Sequence, residues 1–221
     1  MKAFVGRLWV VLEVILDAIV PLKERSARTK ERTAEDIPLS PTVHELLGTR
    51  ITTLMDYRTE AVQDLVRSLK YDGSKYAASL AAALLADFLR EEVASHRAFS
   101  QKRVLIIPVP LHKGRARERG FNQIELVLKQ LPDEFRNGPL SYMIADALKR
   151  TRATEQQTRL PRSERLSNVA GAFAVTNAEL VKKTHVFLVD DVTTTGATLA
   201  NAATPLRRAG AEVTLLALAR A

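Results

Sequence analysis

Two adjacent carboxylates followed by a loop of threonine and glycine form the pattern in this chain that most clearly points to chemistry. Asp190 and Asp191 follow an apolar, β-branched run typical of a buried strand, and the loop Thr193–Gly196 leads into a helix predicted from about Thr198. Backbone N–H groups and the dipole at the start of a helix attract anions, and Gly196 lets the backbone come close to a ligand. Carboxylates accept hydrogen bonds from sugar hydroxyls. The pattern therefore predicts a site for a ribose 5-phosphate group.

The order of these parts resembles the PRPP-binding signature of type I phosphoribosyltransferases, in which an apolar strand, two acids, three further residues and Thr-Gly-x-Thr follow one another. The alternative is an ordinary strand-to-helix connection that is rich in threonine. Because the strand, the acid pair and the Thr-Gly step all lie in register, we favour the first interpretation. The resemblance implies that the acids bind the ribose hydroxyls and that the loop holds the 5-phosphate. The implied PRPP-binding residues are Asp190, Asp191, Val192, Thr193, Thr194, Thr195, Gly196, Ala197 and Thr198.

A basic loop follows a second apolar run, Val104–Val109, which is predicted to be a central parallel strand. Guanidinium groups bind phosphate oxygens bidentately, so a basic loop at the end of such a strand is suited to hold pyrophosphate. The alternative for these side chains is a solvated basic surface. The candidate residues are Pro110, His112, Lys113, Arg115, Arg117 and Arg119.

Four blocks of the chain together resemble the ComF family of phosphoribosyltransferase-like proteins, and they occur in the family's order. They are Leu69-Lys-Tyr-Asp-Gly73, the segment from Pro108 to Gln123, the segment from Arg150 to Phe173, and the strand with its acids and Thr-Gly loop. The resemblance implies an α/β type I phosphoribosyltransferase fold, in which helices flank a mostly parallel central sheet. It also implies that Lys149–Asn168 is a flexible loop that closes over PRPP.

The same resemblance places Arg152 near the pyrophosphate and implies that Asp190, Asp191 and Arg165 are the catalytic residues. It implies Mg²⁺, bound together with PRPP, as the cofactor, with the two acids as candidate protein ligands. ComF-like proteins commonly carry a Cys-rich zinc module ahead of the transferase domain. This chain has no cysteine, and its four histidines show no ligand spacing, so no zinc is expected. The lack of cysteine fits the expected location in the reducing cytoplasm.

Residues 1–50 stand where that module would lie, and residues 51–221 are predicted to form the phosphoribosyltransferase-like domain. Leu8–Val20 has apolar residues at helical spacing and is predicted to be an amphipathic helix. It is too short and too charged to span a bilayer. We expect it to dock on the domain or on the second subunit of a homodimer, and the alternative is binding to a membrane surface. Residues 21–42 are polar and contain two prolines, which predicts a linker or a poorly ordered arm.

Strands alternate with helices along the rest of the chain, which predicts a mostly parallel sheet. Pro205 predicts a kink or an early stop in the last helix, and Gly210 is its predicted C-terminal cap. The predicted helices are Thr59–Leu69, Lys75–Val93, Asn122–Leu131 and Thr198–Arg208, and the predicted strands are Val104–Val109, Ala172–Val175, Val186–Val189 and Val213–Leu218.

Positive charge is concentrated over residues 101–168, which contain 14 Lys and Arg but only 7 Asp and Glu, in a chain of net charge +8. This surplus suits a polyphosphate substrate or nucleic acid. The leading hypothesis is Mg²⁺-dependent transfer of a phosphoribosyl group from PRPP to an unidentified nitrogenous base, with release of pyrophosphate. The alternatives are a non-catalytic sensor of PRPP or a nucleotide, and a competence-related protein that handles single-stranded DNA. Aromatic residues make up only 5% of the chain, which gives little support to a stacking platform for bases.

Overall fold

The computed structural model describes residues 22–111, 114, 119–151 and 171–221, and within them a six-stranded sheet forms the centre of the molecule. Its strands lie in the order β1-β2-β8-β7-β3-β4. β1 and β2 are antiparallel, and the neighbouring strands from β2 to β4 are parallel. The strands of this sheet are β1 (Thr42–Leu46), β2 (Thr49–Asp56), β3 (Val104–Pro108), β4 (Tyr142–Met143), β7 (His185–Thr193) and β8 (Glu212–Arg220). β5 (Leu148–Arg150) and β6 (Phe173–Val175) form a separate antiparallel pair.

Helices cover both faces of the sheet, as the α/β prediction requires. Alternate residues of β3 enter different cores: Val104 and Ile106 pack with the helices of one face, and Leu105 and Ile107 pack with the last helix on the other. A strand buried on both faces is therefore apolar throughout, which explains the continuous apolar run in the sequence. The helices are α1 (Leu22–Lys30), α2 (Glu60–Asp72), α3 (Lys75–Phe99), α4 (Gln123–Lys129), α5 (Asp133–Arg136), α6 (Ala178–Val181) and α7 (Ala197–Arg208), with a short 3-10 helix at Ala34–Asp36.

The chain changes direction across the sheet between β3 and β7, which are neighbours. From β3 the chain passes through α4 to β4 on one side, and from β7 it passes through α7 to β8 on the other. In open parallel sheets, ligands bind beyond the carboxyl ends of the strands where the connections diverge in this way. The topology therefore places the candidate site at the ends of β3 and β7.

The last helix continues through Pro205 to Arg208, so of the two outcomes predicted for this proline the early stop is wrong and the kink stays a prediction. Buried apolar residues flank the proline, with Ala202 and Ala203 before it and Leu206 after it, and their packing outweighs one missing hydrogen bond. Gly210 follows the end of the helix with φ +90°, as expected for a cap. α2 and α3 extend beyond their predicted ends, to Asp72 and Phe99.

Residues 22–30 form α1 and residues 34–36 a short 3-10 helix where the sequence predicted a linker or poorly ordered arm, so that interpretation is wrong for these two segments. α1 packs along α2 through ion pairs instead of an apolar stripe. Arg28 Nη2 lies 2.7 Å from Asp64 Oδ1, and Arg32 Nη1 lies 2.8 Å from Asp64 Oδ2. Arg25 Nη2 lies 3.1 Å from an oxygen of the carboxylate at the end of α2. The polar composition of this segment therefore reflects arginines that pair with aspartates of α2.

The β1–β2 hairpin runs across the predicted boundary between residues 50 and 51, because β2 begins at Thr49. The predicted amphipathic helix at Leu8–Val20 lies outside the described residues. Within the described part of the chain, no helix combines the length and the apolar character needed to cross a membrane.

Removing the charge of Asp64 tests this docking of α1. Asp64 is 2% exposed and faces two arginines, so Asp64→Asn removes the buried counter-ion that both share. Among the described residues, Arg28 then keeps only the ion pair with the exposed Glu60, 3.9 Å away. We expect the free energy of unfolding at pH 7 to fall by about 1–3 kcal/mol, measured by urea denaturation. Asp87→Asn, which breaks a largely exposed pair with Arg90, is the control and should change it by less than about 0.5 kcal/mol. Equal losses of stability from the two substitutions would contradict the conclusion that Asp64 holds α1 on α2.

Candidate active site

The acid pair lies inside the carboxyl-terminal part of β7, which extends further than the sequence predicted. Because successive side chains of a strand point to opposite faces, Asp190 and Asp191 are directed differently. Asp191 is on the same face as Val189, which belongs to the core formed with α2 and α4, and it is 7% exposed. Asp190 is on the face of Leu188, which packs in the core of α7, and it is half-buried.

Among the described residues, two hydrogen-bond donors and one ammonium group hold Asp191. Gln123 Nε2 donates to its Oδ2 at 2.7 Å, and the backbone N–H of Val192 donates to its Oδ1 at 2.6 Å. Lys70 Nζ lies 3.6 Å from Oδ2. Burial works against ionisation of this carboxyl, but Lys70, the two hydrogen bonds and Arg119 more than offset it, so the pKa of Asp191 lies below its ordinary value. Asp191 is therefore a fixed negative charge.

Asp190 has the opposite electrostatic character. Its Oδ1 accepts a hydrogen bond from the backbone N–H of Asp191 at 2.9 Å. Burial first, and the neighbouring carboxylate second, raise the pKa of Asp190 to about 7, against the pull of Lys70 and Arg150. The pair therefore carries one permanent charge and one that titrates near neutral pH, an arrangement suited to bind hydroxyl groups, a cation or a proton.

Gly196 shapes the loop that follows the acids. It has φ +78° and stands immediately before α7, whose first residue Ala197 donates its backbone N–H to Thr195 Oγ1 at 3.4 Å. A Cβ atom on Gly196 would lie 2.6 Å from Ile51 Cδ1 and 3.0 Å from Leu46 Cβ. The β1–β2 hairpin therefore closes against the back of the loop and leaves room for glycine alone.

Lys70 and Gln123 contact Asp191. Both belong to the blocks that resemble the ComF family, but the sequence predicted no role for either of them. Lys70 lies in the last turn of α2 and Gln123 begins α4. The two blocks meet directly, since a Cβ atom on Gly73 would lie 2.9 Å from Phe121 Cε1. The sequence could have indicated these residues, because each is a polar residue at or next to one end of a predicted helix. Only the fold shows that the end of α2 and the start of α4 both lie beside β7.

The structure locates some of the predicted basic residues. Pro110 lies two residues beyond the end of β3, and the Arg119 guanidinium carbon lies 5.3 Å from the ring centroid of Tyr71. Lys149 and Arg150, expected in the flexible loop, belong instead to β5, where they pair with β6. The predicted residues His112, Lys113, Arg115, Arg117, Arg152 and Arg165 lie outside the described residues.

Comparison with known proteins decides the family. The profile of the phosphoribosyl transferase domain matches residues 76–221. The DNA utilization protein YhgH of Escherichia coli K12 is 34% identical over 169 residues, which cover 73% of this chain and 67% of that protein. Competence protein F of Haemophilus influenzae is 39% identical over 119 residues, covering 52% and 50% of the two chains. This chain belongs to the ComF family of phosphoribosyltransferase-like proteins.

Further matches of this ComF-family chain are weaker. Competence protein ComFC of Streptococcus pneumoniae is 29% identical over 153 residues, covering 69% of this chain and 60% of that protein. Among solved structures, orotate phosphoribosyltransferase of Mycobacterium tuberculosis H37Rv is 13% identical with a TM-score of 0.34, covering 87% and 81% of the two chains. A phosphoribosyltransferase of Corynebacterium diphtheriae is 18% identical with a TM-score of 0.34, covering 87% and 80%.

The contrast between the two acids predicts opposite effects of removing them. The pKa of Asp190 is about 7 in the folded protein but near 4 in an unfolded chain, so the folded state binds more protons between these values. Its contribution to stability is therefore lost as the pH rises through this window. Without divalent cations or phosphates, we expect Asp190→Asn to raise the free energy of unfolding at pH 8 by about 1–2 kcal/mol and to change it little at pH 4.

The matched substitution Asp191→Asn removes the carboxylate paired with Lys70, and it should lower the free energy of unfolding at pH 8. Urea denaturation at the two pH values measures both effects. A loss of stability in Asp190→Asn at pH 8 would contradict the assigned charge states.

Proposed function

We propose that this ComF-family chain binds PRPP and transfers its phosphoribosyl group to a nitrogenous base, with release of pyrophosphate. The observation that carries the proposal is the placement of Asp190 and Asp191 directly before the loop Thr193–Thr198, at the point where the connections from β3 and β7 diverge. The acids and the loop are close enough in the chain to contact two ends of one ribose phosphate. A positive side chain, Lys70, lies beside Asp191, with its Nζ 3.6 Å from Oδ2.

The loop supplies the phosphate-binding half of the proposed site. Its backbone N–H groups precede α7, a helix of 12 residues, so they carry the positive end of the helix dipole. Thr194 is exposed and Thr195 is half-buried, which leaves hydroxyl groups beside a bound phosphate. Gly196 lets the loop adopt a left-handed backbone conformation, φ +78°, while the β1–β2 hairpin packs directly behind it.

The acids supply the sugar-binding half of the proposed site, and their different surroundings give them different roles. Both oxygens of Asp191 already accept hydrogen bonds from the protein, so this residue chiefly fixes the geometry of the pair. Within the described part of the chain, Asp190 accepts one hydrogen bond, from the backbone N–H of Asp191 to its Oδ1, and it is half-buried, so it is the better placed of the two to contact ribose hydroxyls.

Magnesium fits this donor set. The cation prefers carboxylate oxygens and usually takes one or two of them together with substrate phosphates and water. Asp190 would be the principal protein ligand and Asp191 a neighbouring negative charge. When bound with PRPP, Mg²⁺ neutralises charge that collects on the pyrophosphate as it leaves.

The proposed reaction breaks the bond between C1 of the ribose and the pyrophosphate oxygen and forms a bond between C1 and a nitrogen of the base. Positioning of the ribose phosphate and stabilisation of charge supply the catalysis. Lys70 and Arg119 lie close enough to Asp191 to lower its pKa, so they also contribute positive potential where the polyphosphate would enter.

Calorimetric titration with PRPP and Mg²⁺ tests the binding half of this proposal. The wild type should bind saturably, and the double variant Asp190→Asn with Asp191→Asn should bind about tenfold more weakly or not at all, since it loses the acceptors for the ribose hydroxyls. Asp87→Asn with Asp133→Asn, which removes two exposed carboxylates elsewhere, is the charge-matched control and should bind as the wild type does. A wild type that binds no PRPP would overturn the proposal.

Turnover separates a transferase from a sensor that uses the same pocket. Release of pyrophosphate in the presence of PRPP, Mg²⁺ and one of a panel of purine and pyrimidine bases identifies a transferase and its acceptor. Binding without release of pyrophosphate for any base supports the sensor.

A role in handling single-stranded DNA is a second candidate, supported by relatives named for DNA utilization and competence. The positive surplus over residues 101–168 is consistent with it. Binding of a fluorescent single-stranded oligonucleotide that weakens steeply with salt would favour this function. No binding at moderate salt would count against it.

A further inference from the structure

Helix α1 reaches the candidate site through one buried charge, Arg25. This side chain is 1% exposed, and its Nε and Nη2 atoms donate to the two oxygens of Asp72 at 3.2 and 3.1 Å. Ser26 Oγ donates to the same carboxylate at 2.6 Å. The Arg25 guanidinium carbon also lies 4.9 Å from the ring centroid of Tyr71. Arg25 therefore contacts two consecutive residues at the end of α2.

The end of α2 that Arg25 contacts also reaches the candidate site, through Lys70 and Tyr71. Lys70 Nζ lies 3.6 Å from Asp191 Oδ2. The ring of Tyr71 carries a second guanidinium group, that of Arg119, whose carbon lies 5.3 Å from its centroid. Lys70, Tyr71 and Asp72 thus form a bridge between α1 and the acid pair.

Electrostatics explains why the bridge needs Asp72. Two guanidinium groups near one aromatic ring repel each other, although each is attracted to the ring face. The bidentate contact with Asp72 neutralises Arg25, so Arg119 can occupy the ring beside it. A buried arginine in a helix with no apolar stripe is a costly way to gain stability, because desolvation cancels much of the attraction. It is an effective way to fix one geometry, because a bidentate guanidinium contact is directional.

We propose that Arg25 is a positioning residue for the candidate site: by holding Asp72 and Tyr71, it fixes the end of α2 so that Lys70 stays beside Asp191 and Arg119 stays on the Tyr71 ring. α1 then acts on the binding site through the end of α2 and does more than stabilise the fold. The effect on ligand binding rests on the proposed PRPP-binding function. The coupling between α1 and the acid pair does not.

The test compares Arg25→Gln with Arg28→Gln. Each variant removes one arginine of α1 that pairs with an aspartate of α2, but Arg28 pairs with Asp64, away from the bridge. Tyr71→Leu is a milder second variant, since it removes the ring and leaves the ion pair, and Arg25→Lys tests whether charge without the planar group is sufficient.

The first measurement uses no PRPP. Val192 N–H and the Gln123 side-chain amide both donate to Asp191, so their ¹H–¹⁵N NMR signals report the geometry around that carboxylate. Arg25→Gln and Tyr71→Leu should shift both signals, and Arg28→Gln should leave them in place. Unshifted signals in Arg25→Gln and Tyr71→Leu, or equal shifts in Arg28→Gln, would overturn the positioning role whether or not the protein binds PRPP.

The second measurement is calorimetric titration with PRPP and Mg²⁺ at a temperature where the variants are folded. Arg25→Gln should weaken binding by about fivefold or more and Arg28→Gln by less than about twofold, with Arg25→Lys between the wild type and Arg25→Gln. A loss of affinity that is equal in Arg25→Gln and Arg28→Gln would mean that α1 acts only through stability. If the wild type itself binds no PRPP, the proposed function fails, and the NMR comparison still decides the coupling.

Discussion

Burial of the Asp191 carboxylate is the constraint around which the site is organised. An ionised carboxylate that leaves water without partners costs several kcal/mol, so the fold has to deliver donors to it from outside its own strand. A lysine at the end of α2 and an amide at the start of α4 meet this need, and a backbone N–H of β7 completes it. Each donor stands in a different element. The relative placement of α2, α4 and β7 is therefore tied to one charge.

The arrangement around Asp191 also gives Asp190 its properties. Because the neighbouring charge is permanent, a second negative charge on Asp190 is disfavoured in the absence of a ligand. A cation or a set of hydroxyl donors relieves that repulsion. The site thus carries stored electrostatic strain of the kind that accompanies binding centres, and it lies where the topology of the sheet already opens a crevice.

Elements at the start of the described chain contribute more to the site than their composition suggests. The β1–β2 hairpin places Leu46 and Ile51 against Gly196 and so supports the Thr193–Thr198 loop from behind. α1 is held by arginine–aspartate pairs on α2, whose end carries Lys70. Ion pairs between the polar faces of α1 and α2 hold these two helices together, whereas apolar stripes hold helices in place elsewhere in the fold.

The sequence by itself determined the parallel α/β framework, the acid pair with its threonine and glycine loop, and the family, because these depend on local patterns: apolar runs, a strand-to-loop-to-helix order and motif spacing. It missed α1, since ion pairs with Asp64 and Asp72 are contacts across the fold and leave no periodic signal. It also assigned no role to Lys70 or Gln123. Only the tertiary structure decided these points, because the charge state of Asp190 and Asp191 depends on which distant helix ends the sheet topology brings beside β7.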